Sequence, residues 1–280
     1  MTGERTVFID AAALWARQAP GWDAWRAAVR GGECIPAVKP NPSLLSANER
    51  RRASDAVLLA VEVAEQAVRA SGRDASQLAS VFTSAHGDLA VTDAMCSQLA
   101  QAPLQLSPTR FHHSVHNAAS GYWAIASGCR ASSSAVSAHR HSFAAGLLEA
   151  LVHCACEHAP VLLVGYDTEA LGLLADVNAS RGLLGVALVL SPERGDVCLG
   201  TLHWQLADAD MAPPALRSAT ARALQTHAMS DALPLFESLA VDDQQTLALS
   251  LPGARHLALR HHRVQHVQSS THEPHAAPNP

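Results

Sequence analysis

Apolar residues at 57, 58, 61, 64 and 68 recur with the spacing of one helical face. Ser46 or Asn48 stands where an N-cap is needed, and Glu49 lies near the helix N-terminus. The spacing predicts a helix that stops near Ser71-Gly72. Before it, short apolar runs mixed with Pro36, Pro40 and Pro42 favour strands and turns, with Val7 to Ile9 as the first strand. Behind it, Leu78 to Ser84 reads as a short buried strand and Asp88 to Ala100 as a helix, followed by a loop between Pro103 and Pro108. Small residues with Tyr122 and Trp123 predict a closely packed helix over 115–128. Ser133 to Ala138 reads as a strand and Phe143 to His153 as a helix. The continuous apolar run Val161 to Gly165 reads as a fully buried strand. Two further strands are expected over 183–190 and 197–204. Strands alternating with helices in this order imply an α/β sandwich or doubly wound sheet.

The pattern weakens to short helices over 213–251 and fails from Ala254 onward. Residues 254–280 carry six of the 16 histidines together with Pro274, Pro278 and Pro280. The expected organisation is one domain over 1–253 and a flexible tail over 254–280.

Composition narrows the function classes. The 280 residues are 48% hydrophobic and 16% charged, which excludes disorder and a coiled coil. A formal charge of −5 without a long basic run argues against nucleic acid. The longest apolar stretch, Ala144 to Ala155, is broken by Glu149 and His153 and falls short of the ~20 residues a bilayer demands. With no signal-peptide pattern at the N-terminus, a cytoplasmic protein is expected. The six cysteines at 34, 96, 129, 154, 156 and 198 lack the spacing of a disulfide framework and read mostly as reduced core thiols.

Candidate chemistry is sparse. His112, His113 and His116 lack a further ligand, and Cys154 and Cys156 lack a second cysteine pair, so no metal is expected. The single glycine in Val164-Gly165-Tyr166-Asp167 gives no phosphate cradle, and no cofactor is implied. Serine chemistry has better material: Ser132 to Ser134, Ser137, His139, His141 and Ser142 crowd a strand-to-helix junction. The G-x-S-x-G signature is absent there. An acyltransferase or hydrolase using a Ser/His pair near this junction is kept as the alternative reading.

At this junction the chain resembles the β-ketoacyl synthases. The resemblance rests on Asn117 to Gly121, Ser134 to Ser137, the helix to Ala150 and the strand Val161 to Gly165. Val81 to Gly87 and Leu106 to Asn117 are similar to ketosynthase-like proteins of aryl polyene and xanthomonadin-type pigment clusters. The likeness covers roughly residues 5–205 and implies a thiolase-like layered sandwich with a truncated second half. Active members carry a cysteine at the N-terminus of a buried helix, where the dipole favours thiolate and oxyanion. Aligning Val136 to Phe143 with that motif puts Arg140 in the cysteine's place, and a guanidinium is no nucleophile. Cys129 and Cys154 lie 11 residues before and 14 after it. The two histidine contexts of the family's second half are not found after Val197.

The resemblance therefore implies a subunit without independent catalysis, like a chain length factor, paired with an active ketosynthase. A heterodimer is favoured over a homodimer, and an acyl carrier protein is a further candidate partner through Arg50 to Arg52. The implied interface is the edge strand of Ser134, Ala135 and Val136, together with His113, His116, Asn117, Tyr122 and Trp123. Arg140 is expected either to place a cation at the interface or block a redundant pocket, or to be held in a salt bridge. His113 and His116 are expected as core histidines satisfied by carbonyls, and Tyr122 and Trp123 as core between helices or the end of an acyl tunnel.

Overall fold

The computed structural model describes residues 4–33, 36, 39–106, 108–177, 180–208, 214–241, 244 and 246–263. The chain opens with a long strand, β1 (Arg5–Ala16), a short β2 (Ala19–Pro20) and α1 (Trp22–Val29). Two helices follow, α2 (Ala47–Arg52) and α3 (Asp55–Ser71), in place of the single one expected. Ser46 caps α2 in a reciprocal box with Glu49, but Ser54 caps α3 separately by accepting the Val57 N–H, so the backbone turns extended at Ala53. Gly72 ends α3 in the left-handed conformation, as its sequence position predicts.

The middle of the chain runs β3 (Ala79–Thr83), α4 (Leu89–Gln101), α5 (Pro108–His113), α6 (Ala118–Ser127), β4 (Ser133–Val136), α7 (Ser142–Glu157) and β5 (Val161–Asp167). After α8 (Leu174–Val177) come β6 (Leu184–Ser191), β7 (Gly200–Ala207), α9 (Ala219–Ala223), α10 (Leu233–Val241), β8 (Thr246–Leu251) and β9 (Arg255–Arg263). All strands join one sheet in the order β4-β3-β5-β6-β1-β7-β9-β8, with β2 beside β1. β4, β3 and β5 are parallel, and the remaining pairs are antiparallel.

The sheet separates two apolar layers. On one face α3 and α6 cover Trp15, Phe82, Leu162, Val164 and Val189. On the other, α1, α7 and α10 cover Ile9, Val81, Leu163, Leu188, Leu202 and Leu257. β5 and β6 are buried along their whole length, which is why they read as unbroken apolar runs. The arrangement is a three-layered, thiolase-like α/β/α sandwich. Beyond β1 the sheet is extended by β7, β9 and β8, with short helices between them in the chain.

Two expectations are corrected. The tail does not begin at Ala254: Arg255–Arg263 form β9, paired along its length with β7 and β8. Its alternation hides the strand, because Leu257, Leu259 and His261 turn inward while Arg260 and His262 turn out, and the outward residues look like tail composition. Residues 264–280 of the expected tail, and Cys34, lie outside the described residues. The five described cysteines are free thiols, yet Cys154 alone among them is buried and Cys96 and Cys156 are exposed.

Candidate functional site

The C-terminal ends of the parallel strands β3, β4 and β5 converge on the start of α7. β4 leads through Ser137 and a tight turn of His139–His141 into the helix, and His139 adopts a left-handed φ of 52° that a non-glycine residue holds only under constraint. α7 lies against β3 so closely that a Cβ on Gly146 would stand 2.6 Å from the Thr83 Cβ. The Thr83 hydroxyl donates to the Ser142 carbonyl at 2.6 Å and locks the first turn of the helix to the strand.

Neither Ser137 nor Ser142 meets an imidazole. Ser137 Oγ donates to the Ala85 carbonyl at 3.2 Å. Ser142 Oγ accepts the Ala138 N–H at 3.0 Å and donates to the His139 carbonyl at 2.7 Å. Both hydroxyls are bonded to backbone, so the Ser/His pair of the alternative reading is not formed: a nucleophile needs its proton within reach of a base. Arg140 is exposed and makes no hydrogen bond or ion pair with a described residue. With His141 it lines a cavity of about 320 Å³ whose other walls are Pro214, Leu216, Gln225, Ser230, Asp231, Pro234 and β8. Cys154 sits near the far end of α7, and burial pushes its thiol up to about 11.

Behind the junction lies a group of ionisable residues that sequence reasoning did not single out. Asp167 ends β5 and is buried. Its Oδ1 accepts the Ser84 hydroxyl at 2.8 Å and the His86 N–H at 3.2 Å, and its Oδ2 accepts the Ala85 N–H at 2.8 Å. These bonds hold the loop after β3, yet burial outweighs them and raises the carboxyl to about 7. His86 meets His139 edge to face at 5.6 Å, and burial followed by the neighbouring imidazole lowers its pKa. Burial drives His227 down to about 4, against the backbone carbonyls of Gly182 and Asp167 that favour its cation. Asp231 is raised to about 7, by burial foremost. An acidic residue closing a fully apolar strand is a readable signal for Asp167, whereas Asp231 falls where the sequence pattern is weakest.

The residues expected at an interface divide. β4 is the edge of the sheet, with Ala135 exposed and Ser134 and Val136 half-buried. Ser134 Oγ reaches Glu149 of α7 at 3.5 Å. Trp123 is buried in the core against α3 and the sheet, the core position expected of it, because its side of α6 turns inward. Tyr122 stacks on His113 at 5.8 Å and, with exposed Asn117, lines a second cavity of about 380 Å³ shared with Glu49, Arg52, Val115 and Ile125. Ile125 is 79% exposed there. His116 Nε2 bonds the Ser84 carbonyl at 3.0 Å, the core-histidine expectation. Arg50 is tied to the Pro42 and Leu45 carbonyls and Arg51 to Asn48, which leaves Arg52 on the cavity.

Comparison with known proteins places this geometry. The family model described as "Beta-ketoacyl synthase, N-terminal domain" matches residues 22–269. No match is found among curated proteins. Among solved structures, the ketosynthase ApeO in complex with its chain length factor ApeC, from Xenorhabdus doucetiae, is similar at 24% identity and a TM-score of 0.70, covering 91% of this chain and 99% of that chain. The ishigamide ketosynthase/chain length factor is similar at 14% identity and a TM-score of 0.69, covering 93% and 100%. AntDE:AntF, a type II PKS acyl-carrier protein in complex with its ketosynthase, is similar at 12% identity and a TM-score of 0.69, covering 94% and 100%. At these identities the likeness is one of fold. No helix of the described residues is long and apolar enough to cross a membrane.

Proposed function

Because this chain belongs to the β-ketoacyl synthase N-terminal domain family, we propose that it is a catalytically silent subunit of the chain length factor kind. In this reading it pairs with an active ketosynthase during polyene, polyketide or fatty-acid-type chain assembly in the cytoplasm. The observation that carries the reading is the mouth of α7, where Arg140 stands exposed and no cysteine of the described residues belongs to the first turn of the helix. A guanidinium stays protonated and cannot take an acyl group from a thioester. Cys154 lies some three turns along the helix, roughly 18 Å at 1.5 Å per residue, so no shift of register brings sulfur to the helix start.

Pairing is supported by β4. An exposed edge strand offers unpaired amides and carbonyls, and a partner strand satisfies them. The solved complexes with similar folds include ketosynthases with chain length factors, which makes a heterodimer the favoured assembly over a homodimeric scaffold. Carrier-protein docking falls mainly to the active partner in this reading, since Arg50 and Arg51 are engaged within the chain.

The test is co-expression with a ketosynthase encoded beside this chain, followed by size-exclusion chromatography. Co-elution at micromolar concentration is expected, and independent elution of the two proteins would refute the pairing. Intact-mass analysis of the isolated subunit after incubation with acyl-carrier substrates should reveal no acyl adduct. An adduct would restore the enzyme reading.

A further inference from the structure

We propose that His203 and His262 form a two-histidine site for a divalent transition-metal ion such as Zn²⁺ on the outer face of β7 and β9. Leu202 and Trp204 on β7 and Leu257 and Leu259 on β9 belong to the core layer, so strand alternation turns both histidines to the opposite face. In the antiparallel register Thr201 lies opposite His262 and His203 opposite Arg260, which makes the two histidines diagonal neighbours. Their ring centres stand 5.2 Å apart with the planes at 84°. With about 2.0 Å from metal to nitrogen and about 1.1 Å from nitrogen to ring centre, two imidazoles on one tetrahedral ion have centres about 5 Å apart. A turn of the rings suffices to share an ion, and the strands need not shift.

Independent contacts favour an ion here. His203 Nδ1 lies 2.9 Å from the hydroxyl of Thr6, its opposite residue on β1. A hydroxyl that accepts the Nδ1–H holds the ring and leaves the Nε2 lone pair to a metal, the outer-shell arrangement of ligating histidines. The half-buried His262 ring makes no hydrogen bond or ion pair with a described residue. Arg260, in register with His203, is bound to Glu4 at 2.7 Å, which tempers its repulsion of a cation. Among the described residues no third His, Cys, Asp or Glu joins the pair, so water completes the shell. Imidazole and water suit Zn²⁺, Cu²⁺ or Ni²⁺, whereas Mg²⁺ and Ca²⁺ take oxygen ligands. The inference goes beyond the pairing proposal and holds with or without a ketosynthase partner.

Thermal unfolding of the full-length chain with ZnCl₂ tests it. His266, His272 and His275 also offer imidazoles, so the reference protein carries all three as alanine. In that protein ZnCl₂ should raise Tm saturably by about 2–4 °C, as expected for a ligand bound by the folded state alone. MgCl₂ at the same concentration should not. His203→Ala and His262→Ala, each in the same background, should abolish the rise. If an alanine variant does not fold, His203→Gln or His262→Gln, which keeps a polar side chain, takes its place. Cu²⁺ supplies a readout independent of stability: its EPR spectrum should show coupling to two nitrogens in the reference protein and to at most one in either variant. No zinc-dependent rise in the reference protein would overturn the proposal. A response of equal size after both substitutions would mark adventitious binding elsewhere and overturn it as well.

Discussion

Single residues carry unequal weight in this fold. At Gly146 even one added carbon meets the Thr83 side chain at 2.6 Å, inside any real contact distance. Gly146→Ala should therefore push α7 off β3 and cost about 1–3 kcal/mol, read as a lower urea midpoint with an unchanged m-value. A second strong point is the buried carboxylate of Asp10, at the irregularity in β1 between Ile9 and Ala11. Arg73 bonds its Oδ2 through Nε at 2.9 Å and Nη2 at 2.6 Å, and the Ser191 hydroxyl donates to the same oxygen at 2.5 Å. Arg73→Ala leaves that charge buried and unpaired. The expected loss is about 3 kcal/mol, the lower end for a broken buried pair, because the arginine side chain is 32% exposed. Asp10→Ala combined with Arg73→Ala should lose less than the two single losses together.

Among the elements, β4 separates what the chain needs for itself from what it offers outward. The Ser132 and Val136 carbonyls accept from Ser80 and Ser84, so the even-numbered backbone groups of this strand face β3. The groups of Ser133 and Ala135 then face away from the sheet. Ala135→Pro removes an outward N–H without touching the β3 ladder, and proline is tolerated on an edge. The variant should keep the Tm of the isolated subunit within about 1 °C, since a surface change costs within ±0.5 kcal/mol. It should also abolish co-elution with the proposed ketosynthase partner. Undiminished co-elution would place the interface elsewhere on the molecule. Leu104, Phe111 and Ile125, in the stretch between β3 and β4, are exposed apolar side chains and are further positions for such mapping.

At the scale of the whole molecule, buried ionisable groups set opposing pH dependences. The folded-state pKa of Asp231, about 7, lies above its ordinary value of 3.8, and the same holds for Asp167. Their contributions are present below about pH 4 and are lost as pH rises toward 7. His227 works the other way: its folded value of about 4 lies below 6.5, so its contribution is present above 6.5 and lost as pH falls toward 4. Asp231→Asn removes one of these terms. Its Tm relative to wild type should therefore rise between pH 4 and pH 8, and a constant difference would show that Asp231 does not titrate in the folded protein. Which groups oppose each other in this way was not legible in the linear order, because Asp167, His227 and Asp231 come from β5 and from the segment before α10 and meet only at the end of α7. The central α/β pattern was legible: β3, β5, α3 and α7 follow from apolar periodicity, because that pattern depends on local composition. Tertiary structure decided the rest. β9 exists because β7 and β8 flank it, Trp123 faces the core because α6 is rotated that way, and the α7 terminus is filled because folding carries a distant carboxylate to it. Each of these depends on a partner many residues away, and spacing along the chain cannot encode which distant group will arrive.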